Sequence, residues 1–239
     1  FVAICGDGEY IIYTATALRN KSFGSALDFA WADDGKGDYA IREKTSRGQV
    51  IKTFKNFSED ISFVPAGIQA EGLHGGAMVG VRGSDCIAFH RWEDGAFVAR
   101  IDIEDPKSVY WSENGDLVAI ACQDSFYVLR YHADIVNEAL ATGVVPEDGF
   151  DDAFELAYDI NERVRTGQWV GDCFLYTNAA SRLNYSVGGE VLTLSHLDEK
   201  MYLLGFLPKE DRVYLCNKNL DVVSYELLTS VLNYQTAIL

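Results

Sequence analysis

The chain is 239 residues long and 48% hydrophobic, with 36 acidic against 20 basic side chains and a formal net charge of −16. That length and apolar content suffice for a large core without a metal or disulfide staple, and 21 Gly with only 4 Pro exclude a collagenous or proline-rich disordered chain. The charge argues against electrostatic binding to a nucleic-acid backbone or an anionic lipid surface, and no apolar run reaches the roughly 20 residues of a membrane span.

The predicted elements are almost all strands, because apolar residues alternate with period two and turn residues interrupt them at intervals of roughly ten. Residues 1–5 and 10–15 flank Gly6-Asp7-Gly8 and read as a hairpin. The chain opens in mid-strand, with no basic lead and no initiator Met, so a clipped start is expected and a signal peptide is not. Strands are expected at 27–32 and 39–43 around Asp33-Asp34-Gly35-Lys36-Gly37, and at 50–54 after Ser46-Arg47-Gly48. Next come 77–81, then 86–92 and 97–103 around Glu93-Asp94-Gly95. Residues 109–112 and 117–122 flank Glu113-Asn114-Gly115-Asp116, and 126–131 follows.

Two stretches then change character. Residues 132–142 (HADIVNEALAT) carry Ile135, Val136, Ala139 and Leu140 at helical spacing and stop at Gly143, which predicts an inserted helix. Residues 147–162 hold seven acidic side chains and no Lys or Arg, among them Asp151, Asp152 and Glu155. They are expected to form an acidic loop, either solvated or a docking surface for a basic peptide. Strands resume at 169–177, 182–186, 190–196, 201–207, 212–217 and 221–226. The last segment, 227–239 (LLTSVLNYQTAIL), places Leu228, Val231 and Leu232 on one helical stripe and is expected to begin a further helical domain.

Residues 29–43 (FAWADDGKGDYAIRE) and 109–123 (VYWSENGDLVAIACQ) resemble each other, with Trp31 and Trp111 separated by 80 residues. That is twice the roughly 40-residue period of a four-stranded propeller blade. Short sheets cannot cover their own faces and stack radially to bury one another. The expected fold is therefore all-β, a WD-repeat-like β-propeller incomplete at its N-terminal end and filling 1–226. A β-sandwich is the alternative, since no Trp-Asp or Gly-His dipeptide occurs.

Chemistry is hard to place. The cysteines at 5, 86, 122, 173 and 216 are scattered in apolar strand contexts, without a CxxC or a Cys/His cluster, so reduced core thiols are expected and zinc is not. Asn-x-Ser sequons at Asn20, Asn56 and Asn184 would suit a secreted protein, but the cysteine pattern points away from that compartment. His74, His90, His132 and His196 occur singly; Gly6-x-Gly8 joins two strands instead of opening a helix, and GLHGG at 72–76 lacks the Lys-Ser/Thr of a phosphate loop. No catalytic residue, cofactor site or metal site is assigned. A propeller hydrolase with paired axial carboxylates remains the enzymatic alternative, and a propeller reading basic peptide tails the binding one.

Several long strings carry a resemblance: residues 1–32, FKNF at 54–57, WVGDCFLY at 169–176, RLNYSVGGE at 182–190, MYLLGFLP at 201–208 and YELLTSVLNYQTA at 225–237. Together they resemble the beta-prime subunit family of the coatomer, the COPI vesicle coat. The resemblance implies the second of two WD-type propellers, with 227–239 starting an α-solenoid that continues beyond this chain. It further implies a structural, non-enzymatic role in Golgi-to-endoplasmic-reticulum transport, peripheral on Golgi membranes and vesicles and contacting membrane only through the coat. Other coatomer subunits, the alpha subunit above all, are the implied partners. The family's dilysine reading belongs mainly to the first propeller, so no cargo residue is carried over.

Overall fold

A computed structural model describes residues 1–227 apart from 34, 47, 66, 144, 145, 147 and 148. The expected helical stripe of Leu228, Val231 and Leu232, and Glu147 and Asp148 of the expected acidic loop, lie outside the described residues. The chain divides into two compact units, one of Phe1–Pro106 with Asp134–Ala153 and the other of Lys107–Ala133 with Phe154–Leu239.

The first unit contains three antiparallel sheets. β1 (Val2–Gly6), β2 (Glu9–Tyr13) and β3 (Asn20–Ser25) form one. β4 (Asp28–Trp31), β5 (Tyr39–Thr45), β6 (Gly48–Lys55) and β7 (Ser58–Phe63) form the next. β8 (Gly72–His74), β9 (Val79–Arg82), β10 (Cys86–His90) and β11 (Phe97–Asp102) form the third. In the second unit β12 (Ser108–Trp111), β13 (Leu117–Ala121), β14 (Phe126–Tyr131) and β15 (Phe154–Ile160) make a sheet. It is followed by β16 (Val164–Val170), β17 (Cys173–Asn178), β18 (Arg182–Val187) and β19 (Glu190–His196), then by β20 (Tyr202–Leu207), β21 (Arg212–Cys216) and β22 (Val222–Glu226). In each sheet sequence neighbours are spatial neighbours, the up-and-down order of a propeller blade.

Apolar side chains from adjacent sheets merge into shared cores. Tyr10 and Ile12 pack with Tyr39 and Ile41, and Ala40 and Ile51 with Leu73, Val79 and Val81. In the second unit Phe126 and Val128 pack with Trp169, Phe174 and Tyr176, and Leu183 and Tyr185 with Val213 and Leu215. The third and fourth strands of every four-stranded sheet are joined through a register shift, as are β2 and β3. The extra residue in each is Lys21, Asp60, Val98, Ala157 or Leu194. By this mark β1–β3 occupy the second to fourth strand positions of a blade. β20–β22 occupy the first to third, since β20 and β21 share the irregularity of β16 and β17 and β22 pairs smoothly.

The inserted helix is α1 (Ala133–Ala141), with Val136 buried. The segment after it corrects the expectation of a loop over 147–162. Asp151–Ala153 forms one 3-10 turn, and Phe154–Ile160 is the strand β15. Phe154, Leu156, Tyr158 and Ile160 alternate with Glu155 and Asp159 at the period of a strand, and the acidic count had masked that alternation. The insert stays with the first unit. The Phe150 N–H donates to the Val98 carbonyl at the bulge of the edge strand β11, 2.7 Å away, and Ala153 is fully buried. Gly149 permits this approach, because its φ is +83° and a Cβ there would sit 2.6 Å from the Val98 oxygen.

Candidate interaction surfaces

Asp151 and Asp152 lie exposed on the 3-10 turn of the first unit, whereas Glu155 begins β15 in the second. The structure therefore does not gather them into one loop. The Glu155 carboxylate lies 3.4 Å from His132 Nε2 and lines a cleft of about 690 Å³ with Asp116, Arg130, Leu156, Tyr158 and Asp172. Among the described residues no group of three or more His, Cys, Asp or Glu side chains could hold a metal ion. Three of the cysteines, Cys86, Cys122 and Cys173, are buried as expected, but Cys5 is exposed on β1. Burial, reinforced by Asp172, pushes the Cys173 thiol up to about 11, so it is protonated and inert at neutral pH.

A recurrent device missed by the sequence reading sits where four of the five first, innermost strands begin (β4, β8, β16 and β20): an acidic residue clamped onto the same blade or the next. Before β8, the carbonyl of Glu71 accepts from both Arg42 and Arg82, and its carboxylate lies 3.8 Å from Arg82. Asp28, opening β4, accepts the Leu73 N–H at 2.9 Å and so ties that sheet to β8. Before β16, one carboxylate oxygen of Glu162 accepts from the Tyr176 hydroxyl and from the amides of Asn178 and Asn184, at 2.9–3.0 Å. Burial, with the Glu162 charge beside it, holds the Tyr176 hydroxyl above its ordinary pKa. Before β20, Glu199 accepts from Asn217, which also donates to Asp221. The signal in the sequence was an acidic residue that opens the strand (Asp28) or stands one to three positions ahead of it (Glu71, Glu162, Glu199), a weaker pattern than the tryptophan repeat.

The innermost strands are also tied directly. In the second unit Trp169 donates its indole N–H to the Tyr110 carbonyl, and the Leu203 and Phe206 N–H groups donate to Thr166 and Gln168 side chains. In the first unit Ala32 and Gly76 form a parallel bridge, and the Trp92 indole donates to the Gly76 carbonyl. Side-chain-to-backbone bonds of this kind satisfy strand edges that would otherwise be buried unpaired.

His74 ends β8 in the same region, and its Nε2 has no hydrogen-bond partner among the described residues. Burial, aided by the Arg82 guanidinium and opposed by Asp28, pushes its pKa from 6.5 down to about 4. A base held neutral in the fold favours the unfolded state once protons can bind there. Its contribution is therefore present above pH 6.5 and lost as pH falls toward about 4. Urea unfolding at pH 7.5 and 4.5 should show about 2–3 kcal/mol of acid destabilisation that His74→Gln lacks. Equal acid sensitivity in the two proteins would contradict this assignment.

The COPA/B second beta-propeller family matches residues 1–217. Coatomer subunit beta' of Rattus norvegicus is 55% identical over 240 residues, covering all of this chain and 26% of that protein. The Homo sapiens coatomer subunit beta' is 53% identical and the Oryza sativa subsp. japonica coatomer subunit beta'-2 is 52% identical, with the same coverage. The chain thus spans about a quarter of the length of the curated relatives it matches. Among solved structures, Kluyvelomyces marxianus Hsv2 is similar with a TM-score of 0.57 at 10% identity, covering 83% of this chain and 57% of that one. A chain of the Mitotic Checkpoint Complex is similar with a TM-score of 0.62 at 11% identity, covering 93% and 69%. These two likenesses speak for the fold alone, an incomplete WD-like β-propeller.

Proposed function

Because the chain belongs to the coatomer beta-prime family, as its second β-propeller, we propose that it is a non-catalytic structural and protein-contact element of the COPI vesicle coat. The observation that carries this reading is the 52–55% identity, over the whole of this chain, with coatomer subunits beta' of Rattus norvegicus, Homo sapiens and Oryza sativa. The geometry supports it in physical terms. Within each unit, apolar cores join neighbouring sheets and carboxylate clamps brace the segments that enter them, giving rigid elements able to hold partners at fixed angles. Glu162 and Glu199 are engaged by Tyr and Asn donors, an arrangement that holds structure together and does not poise an acid–base pair.

On this reading residues 1–226 are the propeller and 227–239 open the α-solenoid, with Leu228, Val231 and Leu232 setting the angle between them. The partners are other coatomer subunits, principally alpha, and the site of action is the cytoplasmic face of Golgi membranes and COPI vesicles during retrieval to the endoplasmic reticulum. Cross-linking mass spectrometry of the intact assembled coat tests the proposal. Lysines of this propeller should cross-link to other coatomer subunits in the assembled coat and lose those links on disassembly. Links confined to its own subunit in both states would overturn it.

A further inference from the structure

We infer that one end of the second unit is a docking surface for an acidic peptide segment of a partner protein. Strand register fixes which residues share that end. Val164 pairs with Asn178 and Arg182 with His196; in the next sheet Tyr202 pairs with Cys216 and Cys216 with Val222. The Leu203 N–H on Thr166 Oγ1, at 2.7 Å, brings the two sheets together there.

This end carries Arg163, Arg165, Arg182, Lys200 and Lys218, in a chain with 20 basic against 36 acidic residues. None of the five is in an ion pair among the described residues, and all but Arg165 are exposed. Arg165 lies over the Tyr202 ring at 5.8 Å. The clamps explain why the cations are left over. Glu162 is held by Tyr176, Asn178 and Asn184, and Glu199 and Asp221 are held by Asn217, so the carboxylates nearest in sequence are turned to neutral donors. The opposite end of the same two sheets carries Asp172, Glu190, Glu210, Asp211 and Glu226 against Lys209 and Arg212, whereas the five cations of this end outnumber Glu162, Asp198, Glu199 and Asp221.

Tyr202 and Leu220 are exposed beside these cations, at 39% and 79%. Unpaired cations interleaved with apolar groups fit a segment of alternating carboxylate and apolar side chains. An anionic membrane fits less well, because a flat surface meets Asp198, Glu199 and Asp221 together with the cations, whereas a peptide threads between them.

The test is fluorescence anisotropy with the intact protein and a fluorescein-labelled peptide alternating Glu with Leu and Tyr. A peptide with Lys in place of Glu and phosphatidylcholine vesicles containing phosphatidylserine serve as comparators. The acidic peptide should bind saturably, and more weakly at about 300 mM than at about 50 mM salt. The Arg163→Glu/Arg182→Glu variant should lose roughly tenfold or more in affinity, and Lys209→Glu at the other end little. Should the first variant fail to fold by circular dichroism, Lys200→Glu/Lys218→Glu carries the same expectation. No binding of the acidic peptide, equal binding of both peptides, indifference to charge reversal, or binding to vesicles alone would each overturn the inference. It does not rest on the coat reading, since the measurement is of direct binding to this end.

Discussion

Gly75→Ala should destabilise the first unit by about 3–5 kcal/mol and lower the melting temperature by on the order of 10 °C. Gly75 follows β8 at the point where this strand runs beside the end of β4. A Cβ at Gly75 would overlap the Trp31 carbonyl oxygen and lie 2.8 Å from its carbon, backbone atoms that cannot rotate aside. Relief requires the two strands to part, which breaks the bonds from Gly76 N–H to the Trp31 carbonyl and from Asp33 N–H to the Gly76 carbonyl, both 3.2 Å. The Trp92 indole would also lose its acceptor. Each lost bond costs about 1 kcal/mol, and more where a donor is left buried. Gly6→Ala is the control, because a Cβ there meets no atom within 4 Å. Thermal and urea unfolding followed by circular dichroism separate the two; equal stability of the variants would refute the proposed junction.

In the second unit the largest single loss is expected from Phe174→Ala, at about 3–5 kcal/mol. Phe174 is fully buried on β17, with ring centroids of Trp169, Phe126, Tyr110 and Tyr176 between 5.3 and 5.6 Å away. Truncation removes the transfer free energy of the ring and leaves a cavity whose walls belong to four strands of two sheets, β12, β14, β16 and β17, and cannot readily collapse. The three tilted contacts and the stacked one with Tyr176 add about 0.5–1.5 kcal/mol each beyond area. Phe174→Leu should recover more than half of the loss. Urea midpoints measure both, and near-ultraviolet circular dichroism should report the loosened aromatic cluster. A loss below about 1 kcal/mol for the alanine variant would mean that this cluster is not the keystone of its sheet pair.

The buried strands were the legible ones. β10, β13 and β17 are largely apolar runs bounded by turns, Leu183, Tyr185 and Val187 alternate along β18, and the Trp31 and Trp111 spacing placed β4 and β12 at matching positions of their sheets. What escaped were strands that face water: β3 (NKSFGS) and β7 (SEDISF) have too few apolar residues for alternation to register. β15 was hidden by its acidic residues, and the three-residue β8 by its glycine-rich surroundings. The expected site fared less well because surfaces leave no periodic trace. Glu155 became a strand residue in a cleft, and the leftover cations became visible only when the clamps showed which carboxylates were already engaged.

The offset residue in each outermost strand pair also bears on solubility at high concentration. Of the five strands that carry it, β3, β7, β15 and β19 are largely exposed while β11 is met at Val98 by Phe150, and flat exposed rims at high local concentration zip together into fibrils. One surplus residue per rim, whether Lys21, Asp60, Val98, Ala157 or Leu194, spoils the spacing that an incoming strand would need to match. The same kink that shapes each sheet thus makes its rim a poor template for a strand of another molecule, and leaves contacts there to side chains that can let go.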